Sequence, residues 1–202
     1  MLELEARRRI YAYLETHPGT YMRKLARELR MPLGTLEYHL HHLERHALVS
    51  TRVAGRFKAY FPKDGMDRRD KDVLAWIRQA VPRRVVAALL LEPRLSHAEL
   101  ARRVSVGPST LTFHVQKLLR AGLLLENRSG RRKEYQVVDP DRVANLLLEH
   151  RTTFLDHLID QFAVIWADLR GHDALDEAMK STEPDPAAAP PVPRRAADPV
   201  PA

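Results

Sequence analysis

The sequence predicts a mainly α protein with small β-hairpins (α+β): two copies of one small domain in tandem, followed by a long C-terminal helix. Three observations predict it. The chain repeats itself at a spacing of 75 residues, the apolar positions keep a helical period that breaks at matching places, and each copy ends in a basic strand–turn–strand. The repeat aligns "GTLEYHLHHLERHALVSTRVAGRFKAY" (34–60) with "STLTFHVQKLLRAGLLLENRSGRRKEY" (109–135) without a gap. It begins further back, where Arg8 and Arg9 meet Arg83 and Arg84, Pro18 meets Pro93, and "LAR" at 25–27 meets "LAR" at 100–102. Of the 55 pairs from 8/83 to 62/137, 18 are identical, too many in one register for chance.

In copy 1, residues 3–16 read as a helix with Ile10, Tyr13 and Leu14 on one face, ended by "HPGT". A short helix follows at about 21–30, its apolar side made by Met22, Leu25, Ala26 and Leu29. "MPLG" breaks the chain, and a third helix runs from Leu33 to His46 with Leu36, Leu40 and Leu43 as its buried stripe. "LVSTRV" and "RFKAYF" then read as two strands turning at Ala54-Gly55. Copy 2 repeats this order. Ser96 and Glu99 have capping-box spacing at the start of its second helix, and its hairpin turns at Ser129-Gly130.

Between the copies, "MDRRDKDVLAWIRQA" reads as a helix with Val73, Leu74, Trp76 and Ile77 on one side, suited to packing between domains and fixing their spacing. Residues 141–169 carry apolar positions at Val143, Leu147, Phe154, Leu158, Phe162, Ile165 and Leu169, a helix of about 45 Å at 1.5 Å per residue. That stripe is too long for one 60-residue domain. Pairing with the same helix of a second chain is the simplest solution, so Phe154, Leu158, Phe162, Ile165 and Leu169 are expected to form a homodimer interface. Folding back across both domains of its own chain is the rival. Gly171 ends the helix, and residues 183–202 hold 7 of the 14 prolines and are expected to be disordered. The expected boundaries are 1–62 for domain 1, 63–81 for the linker, 82–138 for domain 2, 139–180 for the helical region and 181–202 for the tail.

Composition bounds the function. No apolar run approaches the roughly 20 residues of a membrane span, and "MLELEARRR" has no signal-peptide core, so a cytoplasmic, nucleoid-associated protein is expected. The absence of cysteine removes disulfides, thiol nucleophiles and thiolate metal sites. The net charge of +7 is unevenly spread: residues 1–62 carry 11 Lys/Arg against 6 Asp/Glu, residues 81–137 carry 11 against 4, and residues 138–180 carry 4 against 9. A basic body with an acidic appendage points to a polyanion partner for the body alone. Neither a Gly-rich phosphate loop nor a triad nor a paired-carboxylate pattern is visible, so an enzyme is not expected and no cofactor is implied.

Three helices followed by a hairpin, with a short break between helices two and three, is a winged helix–turn–helix. "TLEYHLHHLERHALV…GRFKAY" and "TLTFHVQKLLRAGLL…GRRKEY" resemble the recognition helix and wing of ArsR/MarR-type regulators, and still more the tandem winged-helix regulators common in archaea. The resemblance covers roughly residues 5–140. It implies a sequence-specific double-stranded DNA-binding transcriptional regulator. On that reading the base readers of copy 1 are Thr35, Glu37, Tyr38, His41 and His42, and those of copy 2 are Ser109, Thr110, Thr112, Phe113, Gln116 and Lys117. His39 and His114 stand beside the buried stripe and are expected half-buried, bonding to backbone or phosphate. Wing residues Arg52, Arg56 and Lys58, with Arg128, Arg131, Arg132 and Lys133, suit phosphate or minor-groove contact. Tyr38 and Phe113 either touch thymine methyls or pack under the wing. A tandem winged-helix scaffold resembling a condensin accessory subunit, a replication initiator and a chromatin-type binder without sequence preference are the alternatives. The basic charge disfavours the scaffold.

Four histidines in eight residues (His39, His41, His42, His46) also invite a metal reading, since His42 and His46 lie at i, i+4. The repeat argues against it, because His41, His42 and His46 correspond to Gln116, Lys117 and Ala121. Glu149, His150, Asp156, His157 and Asp160 form a second cluster whose spacing departs from that of the zinc-sensing relatives, and solvated helix charges are its usual explanation.

Overall fold

In the computed structural model, residues 2–129, 132–154, 162, 165 and 166 are described. The chain divides into two units, Met1–Ile165 and Trp166–Ala202, and both repeat copies lie in the first. Domain 1 comprises α1 (Leu2–Thr16), β1 (Thr20–Tyr21), α2 (Met22–Leu29), α3 (Leu33–Arg45), β2 (Val49–Ala54) and β3 (Phe57–Pro62). The linker helix α4 (Arg68–Ile77) follows. Domain 2 repeats the order as α5 (Ala80–Leu91), β4 (Leu95–Ser96), α6 (His97–Val104), α7 (Pro108–Arg120), β5 (Leu124–Ser129) and β6 (Arg132–Val137). The helix α8 (Pro140–Glu149) comes last among the regular elements.

The period-3.6 stripes read from the sequence are the two cores. Ile10, Leu14, Leu25, Leu29, Leu36, Leu40, Leu43 and Tyr60 pack together in domain 1. Their partners across the repeat, Val85, Leu89, Leu100, Val104, Leu111, Val115, Leu118 and Tyr135, are all buried in domain 2. Backbone features repeat as well. Arg30 and Ser105 end α2 and α6 in the left-handed region, and Gly19 and Arg94 adopt positive φ ahead of β1 and β4. Arg9 donates to the Leu29 carbonyl at 3.1 Å, and Arg84 donates to the Val104 carbonyl at 3.0 Å. An arginine thus satisfies an orphan carbonyl at the same helix end in both copies, which gives the identity at Arg9/Arg84 a physical reason. The capping box of Ser96 and Glu99 is present, each residue's side chain accepting from the other's backbone N–H.

Three differences from the sequence reading stand out. Each sheet has a third strand, with order β1-β3-β2 and β4-β6-β5. Two-residue strands such as Thr20–Tyr21 are too short to show alternation, so they were not legible. The first hairpin turns at Gly55-Arg56, one residue later than expected, because Ala54 pairs with Phe57. The predicted continuous helix over 141–169 is interrupted. α8 ends at Glu149, residues Arg151–Thr153 form a single 3-10 turn, and Phe154 is extended.

That interruption alters the dimer assignment. Phe154 is buried beneath the Arg78 and Arg83 guanidinium groups, at 4.9 and 4.7 Å from its ring centroid, and Phe162 is fully buried. Two of the five residues assigned to a dimer stripe are therefore buried, and Phe154 is covered by arginines of its own chain, as the rival of folding back has it. Ile165 is exposed, while Leu158 and Leu169 lie outside the described residues.

α4 is a strut between the domains. Its Leu74, Ala75, Trp76 and Ile77 are buried. Lys71, also buried, donates to the Pro62 carbonyl (2.8 Å), the Lys63 carbonyl (2.7 Å) and the Ser50 hydroxyl (3.1 Å), which ties α4 to the end of the first hairpin. On its other side, Arg142 of α8 bridges to Asp70 at 2.6 Å and to Asp67.

His150 closes α8 and is buried. Burial first, and then the charge of Arg78, pushes its pKa down from 6.5 to about 4. The unfolded chain gains a proton near pH 6.5 that folded His150 refuses until about pH 4. Stability should therefore fall as the pH drops through that window, with His150 contributing about 2 kcal/mol of the loss. Urea denaturation at pH 7 and pH 4 checks this: His150→Leu should lose less stability between the two than the parent chain does.

Candidate nucleic-acid interface

α3 and α7 hold their candidate readers outward because the opposite stripe is locked in the core. On α3, Leu36, Leu40 and Leu43 are buried, while Thr35, Glu37, Tyr38 and His41 are exposed and His42 is half-buried. On α7, Leu111, Val115 and Leu118 are buried, and Ser109, Thr110, Thr112, Phe113 and Gln116 are exposed. The aromatic ambiguity resolves in one respect: Tyr38 is 55% exposed and Phe113 54%, so neither is packed under a wing. Each instead makes an edge contact with the following imidazole, His39 or His114, at 5.2 Å between centroids.

Some expected contacts are not on the surface. His39 is buried at 4% exposure, on the core side of α3, and so departs from the half-buried position expected for it. His114 is half-buried, and burial followed by the charge of Lys117 lowers its pKa. His42 is lowered too, by burial and then by Arg7, and its ring lies 4.3 Å from that of His46. In His114 and His42 these surroundings disfavour the charged imidazole. The hydroxyl of Thr112 is already engaged, donating to the Pro108 carbonyl at 2.9 Å and lying 3.0 Å from His97 Nε2.

The two wings differ in a way the sequence did not reveal. In wing 1, Arg52 pairs with Asp72 of α4 at 2.9 Å and Lys58 pairs with Glu44 at 3.0 Å. Arg56, over the Phe57 ring, is the wing-1 cation without an ion pair among the described residues. The tip of wing 1 lies against domain 2. A Cβ built on Gly55 would be 3.3 Å from Lys117 Nζ and 3.6 Å from the Trp76 ring. Lys117 itself sits 3.9 Å over the Phe113 ring and is half-buried, so it is less open than a base reader was expected to be. Wing 2 packs on its own domain's helices and exposes Arg128, Arg132 and Lys133; Lys133 pairs with Glu126 at 3.0 Å. Arg131 lies outside the described residues. Asp156, His157 and Asp160 of the second cluster do so as well.

The wing-1 tip also supplies a stability test. Gly55 has φ +65, which suits glycine and strains a β-branched residue. Gly55→Val should destabilise the chain by about 1–3 kcal/mol and Gly55→Asn by less, since asparagine tolerates the left-handed region. Equal midpoints for the two variants in urea would contradict this account of the turn.

Residues 4–74 match the HVO_0163-type family of N-terminal HTH domains, and residues 78–124 match the family of winged helix–turn–helix DNA-binding domains. An uncharacterized HTH-type transcriptional regulator of Methanocaldococcus jannaschii is 29% identical over 134 residues, which is 66% of this chain and 33% of the relative. The chain thus aligns with about a third of that relative's length. Among solved structures, reduced HlyU from Vibrio cholerae is 25% identical at a TM-score of 0.35, covering 40% of this chain and 84% of its own. The repressor BigR from Xylella fastidiosa is 18% identical at a TM-score of 0.37, covering 45% and 100%. A hypothetical protein of Pyrobaculum spherical virus is 16% identical at a TM-score of 0.40, covering 68% and 96%. The chain is a tandem helix–turn–helix protein, in which an N-terminal HTH domain is followed by a winged helix–turn–helix DNA-binding domain.

Proposed function

We propose that the chain is a sequence-specific double-stranded DNA-binding transcriptional regulator in which domain 2 supplies the main reading surface. The observation that carries this is the pairing of α7, with Ser109, Thr110, Phe113 and Gln116 exposed, with a wing that leaves Arg128 and Arg132 open. α7 would lie in the major groove with Gln116 at a base edge, and the wing cations would lie along phosphate or in the minor groove. α3 is the second reading surface, with Thr35, Glu37, Tyr38 and His41 facing outward and Arg56 beside them in the wing. A place among nucleoid-associated proteins of the cytoplasm follows from this role. No helix among the described residues is long and apolar enough to cross a membrane.

Binding is measured by fluorescence anisotropy on DNA fragments enriched by the full chain, over a range of salt. Several phosphate contacts per domain imply a log–log slope of several units. Arg128→Ala with Arg132→Ala should weaken binding to every sequence and flatten that slope. Gln116→Ala should instead cost about 1–3 kcal/mol at one or two base positions. If both variants lose affinity equally on all sequences, domain 2 does not read bases.

A homodimer completes the proposal, with Ile165 at the contact in place of the longer stripe expected from the sequence. Exposure of Ile165 at 43% supports it. Two copies related by a two-fold axis would read a pseudo-palindromic site. Sedimentation of the full chain at micromolar concentration should give a dimer that Ile165→Glu weakens. A monomer would overturn the assignment.

A further inference from the structure

A cavity of about 300 Å³ lies where α4 meets domain 2 and α8, and no candidate reader lines it. Its size falls at the lower end of the range for small-molecule pockets, about 300–1,000 Å³, and a junction between domains is where such pockets commonly form. Its apolar lining comes from three places: Val73 and Trp76 of α4, Leu123 ahead of β5, and Val143 of α8. Four charged residues line it as well, Arg69, Asp72, Asp139 and Arg142, so the two signs balance. Two of the four are spent. Asp72 takes Arg52 at 2.9 Å, and Arg142 holds Asp70 at 2.6 Å and also Asp67. Arg69 and Asp139 make no ion pair or side-chain hydrogen bond among the described residues, not even with each other.

A lone exposed charge is ordinary, but two of opposite sign on one apolar cavity invite a ligand that answers both. Asp139 adds a second observation. Aspartate ahead of a helix ordinarily has extended backbone and caps the first turn with its side chain. Asp67 does so ahead of α4, at φ −70, accepting from the Asp70 N–H at 2.8 Å. Asp139 stands in the same place ahead of α8 and does neither: its φ is +52 and its side chain caps nothing. The left-handed backbone and the forgone cap both cost stability. What they leave is a carboxylate kept free beside the cavity, the kind of local sacrifice that gathers at ligand sites.

We propose that this cavity binds a small zwitterion with an apolar body, an apolar amino acid, its carboxylate on Arg69, its ammonium on Asp139 and its side chain against Val73 and Trp76. The charge balance argues for that class. A simple carboxylate would answer Arg69 and set its own charge beside an unmatched Asp139, and a simple amine would do the reverse. A polyanion gains nothing from a cavity whose charges cancel. Trp76 also stands 3.6 Å from a Cβ built on Gly55, at the tip of wing 1, and that same Cβ is 3.3 Å from Lys117 of α7. An occupant against Trp76 would therefore bear on the contact between wing 1 and α7, and so alter affinity for DNA. This last step rests on the proposed DNA-binding role; the binding site itself does not.

Titration calorimetry of the full chain without DNA tests the site, with L-leucine, L-methionine and L-phenylalanine as probes. Saturable binding of one amino acid per chain is expected for at least one of the three. Its analogue without the ammonium and its analogue without the carboxylate should each bind about tenfold or more weakly. Arg69→Gln and Asp139→Asn should each weaken the amino acid to a similar extent, while Arg56→Gln, outside the cavity, leaves it unchanged. The analogues assign the two ends: Asp139→Asn should spare the carboxylate-only analogue, and Arg69→Gln the amine-only one. Neither residue holds another side chain among the described residues, and asparagine tolerates a left-handed backbone, so both variants should fold as the parent does. Absence of saturable binding for all three amino acids overturns the proposal. So does an amino acid bound no tighter than its singly charged analogues, or one indifferent to Arg69→Gln and Asp139→Asn. The bound amino acid should also shift DNA affinity by about threefold or more, and an unchanged affinity would overturn that coupling. A shift of affinity without calorimetric binding would not rescue the site, and calorimetric binding stands even if DNA recognition fails.

Discussion

The structure depends on burial of α4 between the two repeat copies. Leu74, Ala75, Trp76 and Ile77 are removed from water, each of the larger side chains contributing about 1.5–3 kcal/mol. The polar fastenings add direction to that unspecific attraction. Lys71 inserts its ammonium among two carbonyls and a hydroxyl at the end of wing 1, a buried cation held by three acceptors. Arg142 holds the first turn of α4 from the side of α8, and Asp72 takes Arg52 from the wing. Without α4 the two copies would be beads on a string. With it they form one body, in which the tip of wing 1 touches α7 of domain 2.

Much of this was legible because duplication makes the sequence state its constraints twice. Ile10, Leu14, Leu25, Leu29, Leu36, Leu40 and Leu43 all have buried counterparts in copy 2, and the three helices of copy 1 fall within a residue or two of where the apolar period put them. The candidate readers were legible for the same reason: residues off the stripe of α3 and α7 have nowhere to point but outward. What the sequence concealed is tertiary. Arg52 and Lys58 look like free wing cations until Asp72 and Glu44 are brought beside them. Lys117 looks like a base reader until Gly55 arrives from the other domain. His39 sits at i+3 from Leu36, on the boundary of the stripe, where spacing alone does not decide between core and surface.

The C-terminal reading missed for a different reason. An apolar stripe continues through Phe154, Phe162 and Ile165, and periodicity is blind to a break that preserves it. The 3-10 turn at Arg151–Thr153 lets Phe154 swing beneath Arg78 and Arg83, a position whose cation–π attraction and burial a straight helix would forgo. The signals available, Thr152-Thr153 after His150, are weak helix formers but not breakers. Local propensity leaned slightly towards an end at Glu149, and tertiary packing made the decision.

The duplication also shows what divergence has been free to change. Devices that hold the fold are kept across the repeat: the arginine at Arg9 and Arg84, the left-handed residues at Arg30 and Ser105, and the aromatic–imidazole pairs Tyr38–His39 and Phe113–His114. Apart from Thr35/Thr110 and the aromatic pair, the candidate readers are not kept (Glu37/Thr112, His41/Gln116, His42/Lys117), nor are the charges that tether a wing. Glu44, which takes Lys58, is Leu119 in copy 2, so Lys133 turns instead to Glu126, across its own hairpin. A surface pair of that kind is worth at most about 1 kcal/mol and yields readily to a phosphate. Wing 1, by contrast, is fastened through α4 by the buried Lys71. One copy has thus given its wing to the architecture while the other keeps its wing cations in solvent. Because the linker is a packed helix rather than a slack chain, engagement of α7 would present α3 at one fixed offset, and that preset geometry lowers the entropic cost of a second contact.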